Sequence, residues 1–68
     1  MKKLLTKREH EIFSLLVLNK TTKEISEQLN ISQKTVRNHI SNTMQKLGVK
    51  GRCYAINELL KLGAISLD

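Results

Sequence analysis

The chain has no proline, no tryptophan, one cysteine, one phenylalanine, one tyrosine and three glycines. A lone cysteine, Cys53, excludes an internal disulfide, and no cluster of Cys and His stands at zinc-ligand spacing, so the usual staples of a small fold are missing. Cys53 therefore fits a reducing compartment. No stretch holds enough consecutive apolar residues to cross a bilayer, and Met1-Lys2-Lys3-Leu4-Leu5 runs into polar residues before a signal-peptide hydrophobic region could form. A soluble, cytoplasmic protein without a membrane partner is expected. Alternating β-branched and aromatic runs are also lacking, which argues against sheet. With no proline, no low-complexity run, no repeat and no linker, the elements must be joined by short turns. Residues 1–68 are accordingly read as one domain with a short N-terminal lead over 1–5. A core this small is marginal, and a partner subunit is the expected addition to it.

Acids are scarce too. Six Asp and Glu face twelve Lys and Arg, a net charge of +6, which favours a polyanion, nucleic acid before anionic membrane. The distribution is more telling than the sum. Between Glu27 and Glu58 no acid occurs, while Lys34, Arg37, Lys46, Lys50 and Arg52 do. Phosphates are expected along that stretch.

What is present repeats at helical spacing, which predicts an all-α fold. Thr6 followed by Glu9 is a capping box, in which hydroxyl and carboxylate each take the other residue's backbone N–H; it opens a helix over about 7–18 whose buried side is Ile12, Phe13, Leu15 and Leu16. Thr21 and Glu24 repeat the box and open a second helix over 22–29, with Ile25 and Leu29 one turn apart. Asn30 suits a left-handed helix end and Ser32 suits the next cap, so a very short turn joins two helices in the manner of a helix-turn-helix. The third helix runs over 33–47 to a stop at Gly48, with Val36, Ile40, Met44 and Leu47 in an apolar stripe. Its opposite side carries Lys34, Asn38, Ser41 and Gln45, flanked by Thr35, Arg37 and Asn42. A fourth helix over 52–62 ends at Gly63 and has two apolar stripes: Ala55, Leu59 and Leu62, and beside them Cys53, Ile56 and Leu60. One small core has little left to cover both. Cys53, Ile56 and Leu60 are therefore expected to pair with the same helix of a second subunit in a homodimer.

The major groove of B-DNA admits one α-helix, whose exposed side chains read base edges while its neighbours hold phosphates. Arginine matches guanine O6 and N7, asparagine matches adenine N6 and N7, and serine is a short, adaptable donor and acceptor; hence Arg37, Asn38 and Ser41 are the candidate base readers. Thr22, Lys23, Lys34, Thr35, His39, Lys50 and Arg52 are the candidate backbone contacts, and the free N–H groups opening the second and third helices add to them.

In order and spacing, Leu5-Thr6-Lys7-Arg8-Glu9, Lys23-Glu24-Ile25, Ile31-Ser32-Gln33-Lys34-Thr35-Val36-Arg37-Asn38-His39 and Lys46-Leu47-Gly48-Val49-Lys50-Gly51-Arg52 resemble the LuxR/GerE-type DNA-binding domains. The resemblance covers nearly the whole chain, Leu5 to Leu67, and four such segments at the right distances are highly specific. It implies a four-helix helix-turn-helix domain, a dimer through the last helix, and the third helix in the major groove. By family analogy Arg37, Asn38 and Ser41 face bases, whereas Lys34, Thr35 and His39 lie beside the backbone. The chain looks most like members that consist of this domain alone, which implies an activator or repressor of spore coat genes late in sporulation, in the mother cell. Two positions depart from the commonest pattern: Ser26 stands where alanine is usual, and Gly51 where a polar cap is usual, so the fourth helix should start less firmly.

Each singled-out residue also has a plainer reading. His39 without a partner is a hydrogen-bond donor before it is a base or a ligand, and His10 is solvated. Cys53 on an apolar stripe is a small hydrophobe before it is a redox sensor. Glu9 and Glu11, two apart, point to different sides of a helix and make no catalytic pair; Glu9 is a cap and an ion-pair partner for a nearby arginine. Lys2 and Lys3 are a solvated end, Met44 is core filling, and Tyr54 is left open between dimer contact and plain exposure. Charge on an outer helix face is usually only solvation, but the missing acids, the Arg-Asn-Ser spacing and the preceding turn together favour DNA.

The function expected is a sequence-specific regulator of transcription on double-stranded DNA, with RNA polymerase a candidate further partner. The alternatives are the excised output domain of a larger response regulator and a protein-interaction module of helix-turn-helix type. An enzyme fares worst, because no nucleophile with a base, no metal-ligand set and no phosphate-cradling glycine loop occurs. No cofactor or metal is expected.

Overall fold

In the computed structural model, which describes residues 4–67, the chain forms α1 (Lys7–Leu16), α2 (Thr22–Leu29), α3 (Gln33–Leu47) and α4 (Arg52–Lys61). Lys2, Lys3 and most of the N-terminal lead fall outside the described residues. Helix α3 packs against each of the other three, and this places it at the centre of the fold.

Local chemistry starts the helices where the residues demand. Both capping boxes form: the Thr6 and Thr21 hydroxyls accept the Glu9 and Glu24 N–H groups at 3.1 and 3.0 Å, and each glutamate accepts its threonine's N–H at 2.9 Å. Ser32 caps α3 by accepting the Thr35 N–H at 3.0 Å. Gly51 precedes α4 in extended backbone with no side-chain cap, as the missing polar residue predicts.

One device ends all four helices. Asn19, Asn30, Gly48 and Gly63 are left-handed, with φ of 68°, 58°, 68° and 72°. The N–H of the residue after each reaches back five positions, Lys20 to Leu15, Ile31 to Ser26, Val49 to Met44 and Ala64 to Leu59, at 2.9–3.2 Å. These are Schellman closures, which satisfy carbonyls that a helix end leaves orphaned. Ile31, Val49 and Ala64 then pack on the core just beyond their stops.

Two expected boundaries shift. Helix α1 was expected to reach 18 but ends at Leu16, because Leu18 and Asn19 donate to carbonyls only three residues back, a 3₁₀-like tightening of the last turn. Helix α4 was expected to reach 62 and ends at Lys61, with Leu62 as its C-cap. Leu62 is consequently 57 % exposed and leaves the core stripe assigned to it, while Ile65, after the reversal at Gly63, is 4 % exposed in its stead.

The core is formed by Ile12, Phe13, Leu16, Ile25, Val36, Ile40, Ala55 and Leu59, closed by Leu5 before α1 and Ile65 after α4. On α3 the buried face follows Val36, Ile40 and Thr43, leaving Met44 and Leu47 half-buried. Thr43 is tolerated there because its hydroxyl donates to the His39 carbonyl at 2.9 Å. Ser26 is buried on the same terms, donating to the Lys23 carbonyl at 2.7 Å.

Candidate nucleic-acid interface

The packing that buries Val36, Ile40 and Thr43 turns the opposite side of α3 outwards. Lys34, Arg37, Asn38, Ser41, Asn42 and Gln45 are all exposed. Positions 34, 37, 38 and 41 are spaced by three, one and three residues, so they share one helical face. Among the described residues, none of these side chains enters a hydrogen bond or an ion pair with the protein's own chain. Their donors and acceptors remain available to a ligand.

The first turn of α3 differs from those of α1 and α2. Those two helices place a glutamate at the third position, where it offsets the positive end of the helix dipole; α3 has Thr35 there and no acid in the turn. The Ser32 hydroxyl donates to the Thr35 hydroxyl oxygen at 2.9 Å, which leaves the Thr35 proton free for an outside acceptor. Thr35 and His39 are half-buried beside the exposed face. At 1.5 Å per residue α3 is about 22 Å long. Lys34 stands near one end, Lys50 and Arg52 lie exposed just past the other, and Arg37, Asn38 and Ser41 lie between. Cations at both ends with a guanidinium, an amide and a hydroxyl between them suit a groove bordered by two phosphate strands. Thr22, half-buried, and Lys23, exposed, occupy the first turn of α2.

One cation of the acid-free stretch is engaged elsewhere. The Lys46 ammonium donates to the Glu9 carboxylate and, at 3.2 Å, to the Leu4 carbonyl. Glu9 was expected to pair with an arginine. The neighbouring arginine, Arg8, instead lies 3.4 Å from Glu11, one turn along. Burial alone would raise the Glu9 pKa, but the hydrogen bond from Lys46, the Thr6 N–H and the Lys46 charge together hold it below 4.5. Sequence reasoning could not find this partner, because 37 positions separate the two residues.

On α4, Ala55 and Leu59 face the core, whereas Cys53 and Tyr54 are exposed and Ile56 and Leu60 are half-buried against the core's edge. His10 is exposed. Among the described residues no three His, Cys, Asp or Glu side chains gather as a metal site, and no helix is long and apolar enough to cross a membrane.

The profile of the luxR family of bacterial regulatory proteins matches residues 3–59, most of the chain. The chain belongs to this family. Membership makes it a DNA-binding regulator of transcription of helix-turn-helix type and not an enzyme. It is 68 % identical over 66 residues to the spore germination protein GerE of Bacillus subtilis, covering 97 % of this chain and 89 % of that one. A solved structure of the transcription factor GerE superposes with a TM-score of 0.95 at 69 % identity, over 98 % of this chain and all of the other. The transcriptional regulatory protein DegU of Brevibacillus brevis is 41 % identical over 64 residues, which make up only 27 % of its length. The luxR-family fold is thus shared both with a protein of this size and with a much longer regulator.

Proposed function

We propose that residues 1–68 act as one sequence-specific unit that binds duplex DNA as a homodimer paired through α4, with α3 of each subunit in the major groove. Arg37, Asn38 and Ser41 read base edges. Thr22, Lys23, Lys34, Thr35, His39, Lys50 and Arg52 hold phosphates on either side. Cys53, Ile56 and Leu60 form the subunit contact, and two-fold pairing sets two half-sites about one helical turn apart, roughly 34 Å. The observation that carries this reading is the outer face of α3: a full row of exposed polar side chains, unoccupied by the protein's own chain, in a stretch with no acid from Gln28 to Asn57. Identity of 68 % to a spore germination protein supports control of late sporulation genes, including spore coat genes, in the cytoplasm of the mother cell. RNA polymerase is the further partner expected where the protein acts as an activator.

Selection of bound fragments from random duplex DNA, followed by titration against selected and random duplexes at physiological salt, tests the reading. A specific reader prefers its selected duplex by at least about a thousandfold. Arg37→Ala should relax the preference at one base pair and cost roughly 1–3 kcal/mol, whereas Lys34→Ala should weaken all sequences alike and lower the salt slope by about one. One affinity for every duplex, or the same effect of both substitutions on all of them, overturns it.

A further inference from the structure

The Glu9–Lys46 contact ties α1 to α3, and any role of it in DNA reading rests on the function proposed above. Lys34, Arg37, Lys50 and Arg52 have no acidic partner among the described residues. Lys46 alone of the five is claimed by an acid, and that acid is 4 % exposed. Three parts of the chain meet there. Leu4 supplies a carbonyl from the segment before α1, Glu9 supplies a carboxylate already held by the Thr6 N–H, and Lys46 reaches them from the last turn of α3.

Elsewhere α3 is held chiefly by apolar contacts at Val36 and Ile40 and by the Ser32 cap at its start. Apolar contact is non-directional and sets the roll of a helix less sharply than a hydrogen bond does. A hydrogen-bonded ion pair at the far end restricts that roll, because one ammonium must satisfy a carboxylate on α1 and a carbonyl in the segment before it. Small rolls matter. At a side-chain radius of about 5–6 Å, a turn of about 10° shifts an outer atom by roughly 1 Å, enough to spoil a bidentate contact with a base edge. Phosphate contacts absorb such a shift, because a side chain answering to one outside acceptor can re-aim, whereas the Lys46 ammonium is held by two acceptors of its own chain at once.

We propose that Lys46 is a positioning residue for base recognition: paired with Glu9 and the Leu4 carbonyl, it sets the roll of α3 and contacts no phosphate itself. The proposal separates affinity for a chosen sequence from affinity for DNA in general. Lys46→Met alone leaves a buried carboxylate without its cation and endangers folding. The double variant Glu9→Gln with Lys46→Met removes both charges, preserves the net charge and keeps an amide oxygen to accept the Thr6 N–H.

The test compares wild type, Lys46→Arg, Lys46→Met and the double variant on two duplexes of equal length, one selected by the wild type and one of random sequence, across a range of salt. Each protein is measured at a temperature where circular dichroism shows it folded. The double variant should lose about tenfold or more on the selected duplex, the cost of misreading a single base pair, with random-duplex affinity and salt slope unchanged. Lys46→Arg should retain the preference. A salt slope lowered by about one on both duplexes would make Lys46 a phosphate contact and overturn the proposal. An unchanged ratio of the two affinities in the folded double variant, or failure of both Met variants to fold at any temperature, would leave the pair with a role in stability alone and overturn it as well. A wild type that binds the two duplexes alike instead overturns the DNA-reading function itself, so the two failures are distinguishable.

Discussion

Glu9 does two things with one carboxylate, and one of them, the ion pair with Lys46, depends on its charge. It accepts the Thr6 N–H that opens α1 and it holds the Lys46 ammonium, with a pKa held below 4.5 by those contacts against the opposing effect of burial. A carboxyl whose pKa is lower folded than unfolded contributes stability that is complete above its unfolded pKa and is lost as pH falls through its folded value. Wild type should therefore be more stable than Glu9→Gln at neutral pH, and the gap should close as pH falls through the lowered folded pKa of Glu9. Thermal or urea melts of the two proteins across that range check this; a gap independent of pH would assign the stabilisation to packing. Glu24 is also depressed, by the Thr21 N–H and hydroxyl, but lies exposed and serves as the comparison site. The two glutamates also mark what a sequence discloses. Their capping boxes span three residues and are legible in the text, whereas the Lys46 partner depends on how α1 and α3 cross. The same limit hid Leu5 and Ile65, apolar residues outside any helical period, which are buried only because the chain folds back over the core at both ends.

Helix starts and stops behave similarly. Asn30, Gly48 and Gly63 were readable as stops because a left-handed residue must follow the last turn there, and Asn and Gly meet that need at the lowest steric cost. Asn19 does the same for α1, but the apolar run through Leu18 masks it, so the expected end runs past the tightening at Leu18. The outward face of α3 was legible apart from Thr35, which is half-buried, since periodicity fixes which side is polar once the apolar side is known. Its axial roll was not, because that depends on how α3 packs against the three other helices. Among the four helix starts, that of α4 is the one without a side-chain cap. Gly51 is in extended backbone, and a Cβ there would meet only the edge of the Tyr54 ring at 3.4 Å, so serine fits the position. Gly51→Ser should raise stability by about 0.5 kcal/mol, through a cap hydrogen bond and reduced freedom of the unfolded chain. A melting temperature equal to or below that of wild type would show that Tyr54 cannot give way.

Across the whole molecule, charge and apolar surface are sorted to different places. The acid-free stretch spans α3 and the turn into α4, while Glu11, Glu24 and Glu27 lie on the first two helices. Tyr54 is 67 % and Leu62 57 % exposed, on or just beyond the helix that presents Cys53, Ile56 and Leu60. A chain of this length buries only a modest share of its apolar surface, so a second copy over α4 would complete a core that one subunit leaves open. It would also place two copies of α3 on one duplex, and linking two modest half-site affinities multiplies the total by about a hundredfold or more. Leu60→Glu tests this, because a glutamate can keep its aliphatic stem on the core's edge while carrying its carboxylate outwards into the subunit contact. The expected product is a folded monomer by sedimentation and circular dichroism that binds a two-half-site duplex at least about a hundredfold more weakly but retains wild-type affinity for a single half-site. Should Leu60→Glu disturb folding, Cys53→Glu makes the same intrusion from an exposed position. A dimer that survives either change would move the two-fold axis off α4, and with it the expected spacing of the half-sites.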